Sequence, residues 1–240
     1  MASRRITRKE MKRDEFVTAM GKFSLWMEEH VKEALFLGGV AVALVIGSIF
    51  MVQFLGEREL KASALLGRGL EMLHATLRTA NATASAGQLS YASEGEKYTA
   101  VLAQMDSLIQ SYPRSRAGRL AVYYKGLALQ GLGRNPEAMK TLQDFLDANP
   151  EHYAAPMARA TVARLLQASG ESQKALEIYE QLSRQSAGAY PPQAALMEMG
   201  RCLDGMGKKD EARKVYERLA REFPESDYAK EAEARLKGPS

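Results

Sequence analysis

The sequence has 240 residues, of which 46% are hydrophobic and 26% charged, a composition typical of a folded protein rather than a disordered chain. Its formal net charge is +4, and its basic residues are most concentrated in the first 13 residues, which carry six Lys and Arg against one Glu, whereas residues 57–240 carry 25 Lys and Arg against 23 Asp and Glu. This distribution argues against nucleic acid as a partner, and the single cysteine, Cys202, excludes an intramolecular disulfide and a thiolate metal site. Strong helix formers dominate outside one apolar stretch, which predicts an all-α protein.

Residues 1–33 are predicted to form a cytoplasmic basic tail with an amphipathic helix. Apolar side chains recur there at spacings of three and four and make one helical stripe. The stripe fits a helix that lies on the membrane face or one that docks on a protein partner, and both interpretations stay open. Its members are Phe16, Met20, Phe23, Met27 and Val31, with Trp26 beside them.

Residues 34–56 are predicted to form a transmembrane helix. They are 23 consecutive uncharged residues, and at 1.5 Å each they extend about 34 Å, enough to cross the hydrocarbon core. Because 33 residues precede this segment and charged residues follow it, we expect an uncleaved signal-anchor. Eight Lys and Arg precede it, but only Arg58, Lys61 and Arg68 follow within the next 20 residues. The positive-inside rule therefore predicts a single-pass protein of a bacterial inner membrane with its C-terminal domain in the periplasm.

Three small residues, Gly39, Ala43 and Gly47, repeat every four residues inside this apolar segment. They would share one face of the helix, where the backbone of another helix can approach closely. The alternative is the ordinary glycine content of such helices, so self-association stays open.

The rest of the chain repeats with a period of 37 residues, as the alanines Ala138, Ala175 and Ala212 illustrate. Such a period is typical of stacked helical hairpins, in which small residues allow two helices to approach and a glycine ends the first helix. Proline occupies a further row at Pro113, Pro150 and Pro224, with Ala187 as its exception, and ends the second helix. Ser115 and Ser226 follow as expected N-caps. The same period relates Gly126, Ala163 and Gly200; Gly133, Gly170 and Gly207; Leu142, Tyr179 and Tyr216; and Phe145, Leu182 and Leu219.

Two less regular regions flank these repeats. Residues 57–118 are predicted to form a degenerate first hairpin, with Leu66, Leu70, Leu73 and Leu77 on one face of its first helix. Residues 80–93 within it are rich in Ala, Ser, Thr and Gly, which predicts a mobile loop. Residues 227–240 are predicted to form a charged capping helix and a tail.

The pattern of residues 119–226 resembles the tetratricopeptide repeat, with three copies of a small residue in the first helix, an alanine that opens the second, and an aromatic or leucine in its middle. The chain departs from the family in its period of 37 rather than 34 and in the residues Val122, Arg159 and Leu196 at the signature tryptophan position. The resemblance implies an α-solenoid whose first helices line a protein-binding groove. The implied groove residues are Leu120, Tyr123, Leu127, Met157, Ala160, Arg164, Met197 and Arg201.

The sequence contains no pattern of catalytic or metal-binding residues. Its histidines, His30, His74 and His152, lie in different segments without a second ligand at helical spacing. Phosphate-binding loops and nucleophile elbows are also missing. We therefore expect a non-enzymatic scaffold that needs no cofactor and binds other proteins.

A basic tail, one apolar segment and a repeat domain together resemble the family of membrane-anchored ancillary subunits of the bacterial Sec translocon. This resemblance implies contact with the translocon, with periplasmic chaperones or with emerging substrates. Scaffolds of envelope assembly or cell division remain an alternative, although those begin with a lipidated cysteine or a cleaved signal. An organellar import receptor would need the opposite orientation.

Overall fold

The structure is a computed structural model that describes residues 17–18, 20–22, 24, 26, 30–78, 89–185 and 189–237. The basic tail 1–13, the stripe residues Phe16, Phe23 and Met27, residues 80–88 of the predicted loop, and Ala187 lie outside the described residues. The chain divides into two compact units, Met1–Glu57 and Arg58–Ser240.

The described part of the chain confirms the all-α fold, with one short pair of strands. After the long helix α1 (Val31–His74), strands β1 (Thr76–Leu77) and β2 (Ser90–Tyr91) pair in parallel. The remaining helices are α2 (Glu94–Ser111), α3 (Arg116–Gly131), α4 (Asn135–Ala148), α5 (Ala155–Ala168), α6 (Ser172–Ser183), α7 (Pro192–Gly205), α8 (Lys209–Glu222) and α9 (Asp227–Lys237).

Helix α1 is the one helix among the described residues that is long and apolar enough to cross a membrane. Its most apolar window has a mean hydropathy of 2.6, and none of that window is buried against the protein. Large side chains such as Phe36, Leu44 and Phe50 are each about 70% exposed. Such a face is stable only when something apolar covers it.

The end of α1 differs from the prediction. The helix stops at His74, whose Nδ1 donates to the Leu70 carbonyl at 2.8 Å. Leu77, which was expected on a buried helical face, lies in β1 and is 40% exposed. Ala62 is buried instead, and Leu66 and Leu73 pack against the same cluster. The strand pair interrupts the helical register, which the leucine spacing alone did not indicate.

The C-terminal end of the predicted mobile loop, residues 90–93, instead forms strand β2 and the N-cap of α2. Tyr91 is 9% exposed and pairs with Leu77 in the strand pair. Ser93 caps α2 by accepting from the Glu96 backbone N–H at 3.1 Å, and the Glu96 carboxylate accepts from the Ala92 N–H at 2.7 Å. This reciprocal capping is specified locally by a serine followed three residues later by glutamate.

Close approach of paired helices explains the row of small residues. A Cβ atom on Gly126 would lie 2.6 Å from Leu142 Cδ2, and one on Gly200 would lie 2.3 Å from Tyr216 Cε1. Real Cβ atoms do not come this close, so the large side chain of the second helix occupies the space that the glycine leaves. The predicted role of this row is confirmed.

The three glycines that follow the first helix of each pair all have positive φ, at 72°, 87° and 76° for Gly133, Gly170 and Gly207. After each one, the chain turns back with the same hydrogen bond, exemplified by Lys208 N–H donating to the Leu203 carbonyl at 2.9 Å. This is the Schellman C-cap, for which glycine is the favoured residue. The predicted helix stops are confirmed.

The repeat cores contain the side chains that the 37-residue period predicted. Ala138, Ala175 and Ala212 are fully buried, as is the lone cysteine Cys202 at 1% exposure. Burial raises the pKa of the Cys202 thiol, which donates to the Ser172 carbonyl at 3.4 Å. Ser115 caps α3 and Ser226 caps α9 through backbone N–H groups, as expected. In α9, Ala229 and Ala232 are buried.

Gly207 and Gly205 give a matched test of the helix stop. In G207A an alanine must adopt positive φ, where its Cβ comes too close to the backbone. We therefore expect the free energy of unfolding to fall by about 1–2 kcal/mol. Gly205 lies in α7 with open space around it, so G205A is expected to be neutral or to raise stability by up to about 1 kcal/mol. Urea denaturation of both variants measures the difference, and equal effects would contradict the C-cap assignment.

Candidate protein-binding groove

The eight predicted groove residues fall into three lattice rows with different burial. The inner row is fully packed, the outer row reaches the surface, and a third row, Leu120 and Met157, is buried and half-buried respectively. The inner row comprises Tyr123, Ala160 and Met197, and the outer row comprises Leu127, Arg164 and Arg201.

The inner row packs between successive helices. Tyr123, Ala160 and Met197 are 4%, 1% and 0% exposed. The Tyr123 ring lies 6.2 Å from the Phe145 ring, and burial raises the pKa of its hydroxyl. A partner protein cannot reach these side chains in this structure, so they hold the groove in shape rather than line it.

The outer row lies four residues further along each helix, and this rotation brings it to the surface. Leu127 is half-buried, Arg164 is exposed and Arg201 is half-buried. The accessible face is therefore narrower and more polar than the resemblance implied.

Arg201 is already engaged within the protein. Its guanidinium donates to Glu198 at 2.8 Å and to both carboxylate oxygens of Glu231 in α9 at 2.8 Å. The hydrogen bond from Arg201 holds the pKa of Glu231 below its usual range. Because Nη2 contacts both Glu231 oxygens while Nη1 contacts Glu198, Arg201 links the last helix to α7.

Arg164 occupies the equivalent position one repeat earlier and is differently placed. Its Nη2 donates to Thr161 Oγ1 at 3.0 Å. Within the described ranges no carboxylate oxygen lies within 4.0 Å of it, whereas Arg201 has two acidic partners. Arg164 is thus the cation that the outer row offers to a partner.

Two tyrosines were missed at the sequence level, and one of them, Tyr190, lies near Arg164 and Arg201 of this face. Tyr153 and Tyr190 are 37 residues apart and precede α5 and α7. Tyr153 is 61% exposed, and Tyr190 is half-buried, with burial and the nearby Glu198 raising its pKa to about 12. Their shared lattice position was the available signal. Tyrosine is enriched in protein interfaces because it combines an apolar ring with a polar end.

A separate pocket of about 660 Å³ lies between α1, α3 and the loop before α5. At its edge the Glu59 carboxylate accepts from the backbone N–H groups of Arg116 at 3.0 Å and Ala117 at 3.2 Å. An acidic residue of one helix therefore caps the N-terminus of another, where the helix dipole favours negative charge.

His152 lines this pocket and caps the start of α5. Its Nδ1 accepts from the Ala154 N–H at 3.1 Å, and its ring contacts the Phe145 ring edge-on at 5.4 Å. Burial, followed by the charge of Arg119, lowers the pKa of His152. Among the described residues no group of three His, Cys, Asp or Glu side chains is placed to hold a metal ion.

The hairpins are stacked, small residues let their paired helices pack closely, and their first helices present a row of residues at the surface. These features define a helical-repeat scaffold of the protein-interaction class. Two segments, 123–168 and 194–226, match models of the tetratricopeptide repeat. The chain therefore contains tetratricopeptide repeats. No curated protein matches the chain.

Solved structures are similar to the chain at low sequence identity, and one of them has a TM-score above 0.5. A tetratricopeptide repeat protein from Parabacteroides merdae is 14% identical with a TM-score of 0.51, over 73% of this chain and 59% of that one. The Rap conjugation gene regulator of the plasmid pLS20, solved with the Phr* peptide, is 17% identical with a TM-score of 0.48, over 61% and 44%. Pseudomonas aeruginosa pilF is 18% identical with a TM-score of 0.43, over 59% and 61%.

The lowered pKa of His152 predicts a pH-dependent loss of stability. The pKa of His152 in the folded state lies below the ordinary value of 6.5. The stability that neutral His152 contributes is therefore complete above pH 6.5 and is lost as pH falls through 6.5 toward the folded-state pKa. H152N keeps a side-chain acceptor for the Ala154 N–H but does not titrate. Thermal unfolding followed by circular dichroism from about pH 7.5 to 5.5 should show a larger fall in unfolding temperature for the wild type than for H152N. Parallel curves would contradict the assignment.

Proposed function

We propose that this protein is a membrane-anchored scaffold that binds other proteins on the extracytoplasmic side and assists protein translocation or periplasmic chaperoning. The anchor is the apolar part of α1, and the binding surface is the outer row with Tyr190 beside it. The Sec translocon and its associated chaperones are the proposed partners.

The observation that carries the proposal is the exposed apolar surface of α1. A helix whose large side chains are about 70% exposed would aggregate in water unless lipid or another protein covered it. Its 23 uncharged residues, 34–56, have the length that a bilayer requires. The excess of Lys and Arg before this segment supports the proposed orientation, with the repeats on the far side.

The outer row supports a polypeptide as the bound partner. Leu127 supplies apolar area, Arg164 supplies a cation, and Tyr190 supplies an aromatic ring. This combination fits an unfolded or extended segment that carries apolar and acidic side chains. Such segments emerge from a translocon before folding, which connects the surface to the proposed role.

Membrane topology tests the anchor and its orientation. Alkaline phosphatase, which is active only outside the cytoplasm, is fused after Ser240 in a Gram-negative host, and the same fusion to a variant lacking residues 34–56 is the control. We expect activity in the full-length fusion and none in the control. An inactive full-length fusion that is stably made would contradict the orientation.

Site-specific photocrosslinking in native membranes tests the binding surface. A photoreactive residue replaces Leu127 or Arg164. The control replaces Lys140, which is exposed on the second helix of the hairpin that contains Leu127. We expect adducts with translocon, chaperone or exported proteins from the two outer-row positions and not from position 140. The same adducts from all three positions would refute a specific surface.

A further inference from the structure

We propose that the pocket between α1, α3 and the loop before α5 binds the headgroup of an anionic phospholipid. This inference rests on the proposed membrane anchor and adds a second, lipid-binding role to the repeat unit. The pocket lies wholly within the unit Arg58–Ser240.

The pocket has the size and lining of a small-ligand site. Its volume of about 660 Å³ falls within the range of small-molecule sites, and Leu66 and Leu120 give it apolar walls. Arg116 and Arg119 line it, and among the described residues neither has a carboxylate oxygen within 4.0 Å of its guanidinium. Arg119 Nη1 donates to the Arg114 carbonyl at 2.9 Å. Two such arginines favour a phosphate, which can accept several hydrogen bonds from them.

The acidic residues of the lining do not cancel this preference. The Glu59 carboxylate is taken up by the N–H groups at the start of α3, and Glu151 is exposed to solvent. The three segments that supply most of the lining, 58–63, 114–119 and 150–159, carry six Lys and Arg against two Glu. Residues 58–240 together carry 25 Lys and Arg against 22 Asp and Glu, so these three segments are more basic than the rest of the unit.

Chain connectivity makes a lipid the occupant rather than a soluble anion. Glu59 lies three residues after Gly56, the last residue of the apolar segment, so its backbone is at most about 11 Å from that point in any arrangement of the two units. The Arg116 backbone N–H donates to the Glu59 carboxylate, so Arg116 stays near the lipid headgroups once the segment is in a membrane. Tyr153, 61% exposed at the rim, is a residue type enriched at membrane interfaces.

Hydrogen exchange on the full-length chain in a neutral detergent tests the proposal without requiring a bilayer. Amide exchange of residues 114–120 is followed while dioctanoyl phosphatidylglycerol is added, with dioctanoyl phosphatidylcholine and glycerol 3-phosphate as comparisons. We expect dioctanoyl phosphatidylglycerol to protect the wild type at a concentration roughly 30-fold lower than it needs to protect R116Q/R119Q. For R119Q alone, the difference from the wild type should be roughly 5-fold. The variant R213Q/R218Q, which removes two arginines from α8, is expected to bind like the wild type.

Three results would overturn the proposal: equal protection by phosphatidylcholine, protection by glycerol 3-phosphate at the same concentration, or unchanged protection in both R119Q and R116Q/R119Q. Protection by an acidic peptide but not by the lipid would assign the pocket to a protein partner instead. Retention of the full-length chain in phosphatidylcholine nanodiscs is measured separately. Loss of retention would refute the anchor, whereas retention without headgroup-specific protection would refute only the lipid site.

Discussion

The close approach of two helices at one small residue per repeat is the constraint on which the repeat unit depends. Gly200 leaves room for the Tyr216 ring, and Gly126 leaves room for Leu142, so each second helix packs directly on the backbone of the first. The glycine at positive φ after each first helix then directs the chain into that packing. Because both devices recur every 37 residues, each hairpin presents the same geometry to the next one.

This packing also decides which residues remain for function. The inner row of the predicted groove packs between helices and is not accessible to a partner, with Met197 fully buried. Arg201, although it lies on the surface row, is held by Glu198 and by Glu231 of the last helix. Of the predicted groove residues, Leu127 and Arg164 therefore remain accessible and without an acidic partner, and Tyr190 lies near Arg164.

Periodicity predicted most of the fold because it reports packing directly. The helix-stopping glycines and the capping serines follow from local residue patterns that tertiary contacts reinforce. The end of α1 did not follow, because Leu77 continues the leucine spacing but pairs with Tyr91 in a strand. That pairing joins residues on either side of a long connection, and no local pattern specifies it.

The groove was predicted less well because row membership does not determine burial. Tyr123 and Leu127 lie one helical turn apart on the same helix, yet Tyr123 is buried and Leu127 is only half-buried. Tyr190 and the Glu59 cap at α3 were missed because their roles arise from contacts between elements, although the spacing between Tyr153 and Tyr190 was visible in the sequence.

A double-mutant cycle between Gly200 and Tyr216 tests the close-approach constraint most directly. Urea denaturation of the full-length chain in detergent gives the free energy of unfolding for the wild type, G200A, Y216A and G200A/Y216A. We expect G200A to cost about 1–3 kcal/mol when the tyrosine ring is present, and to be neutral or stabilising by up to about 1 kcal/mol when the ring is removed. An equal cost of G200A in both backgrounds would show that the glycine is not there to admit the ring, and would contradict the account.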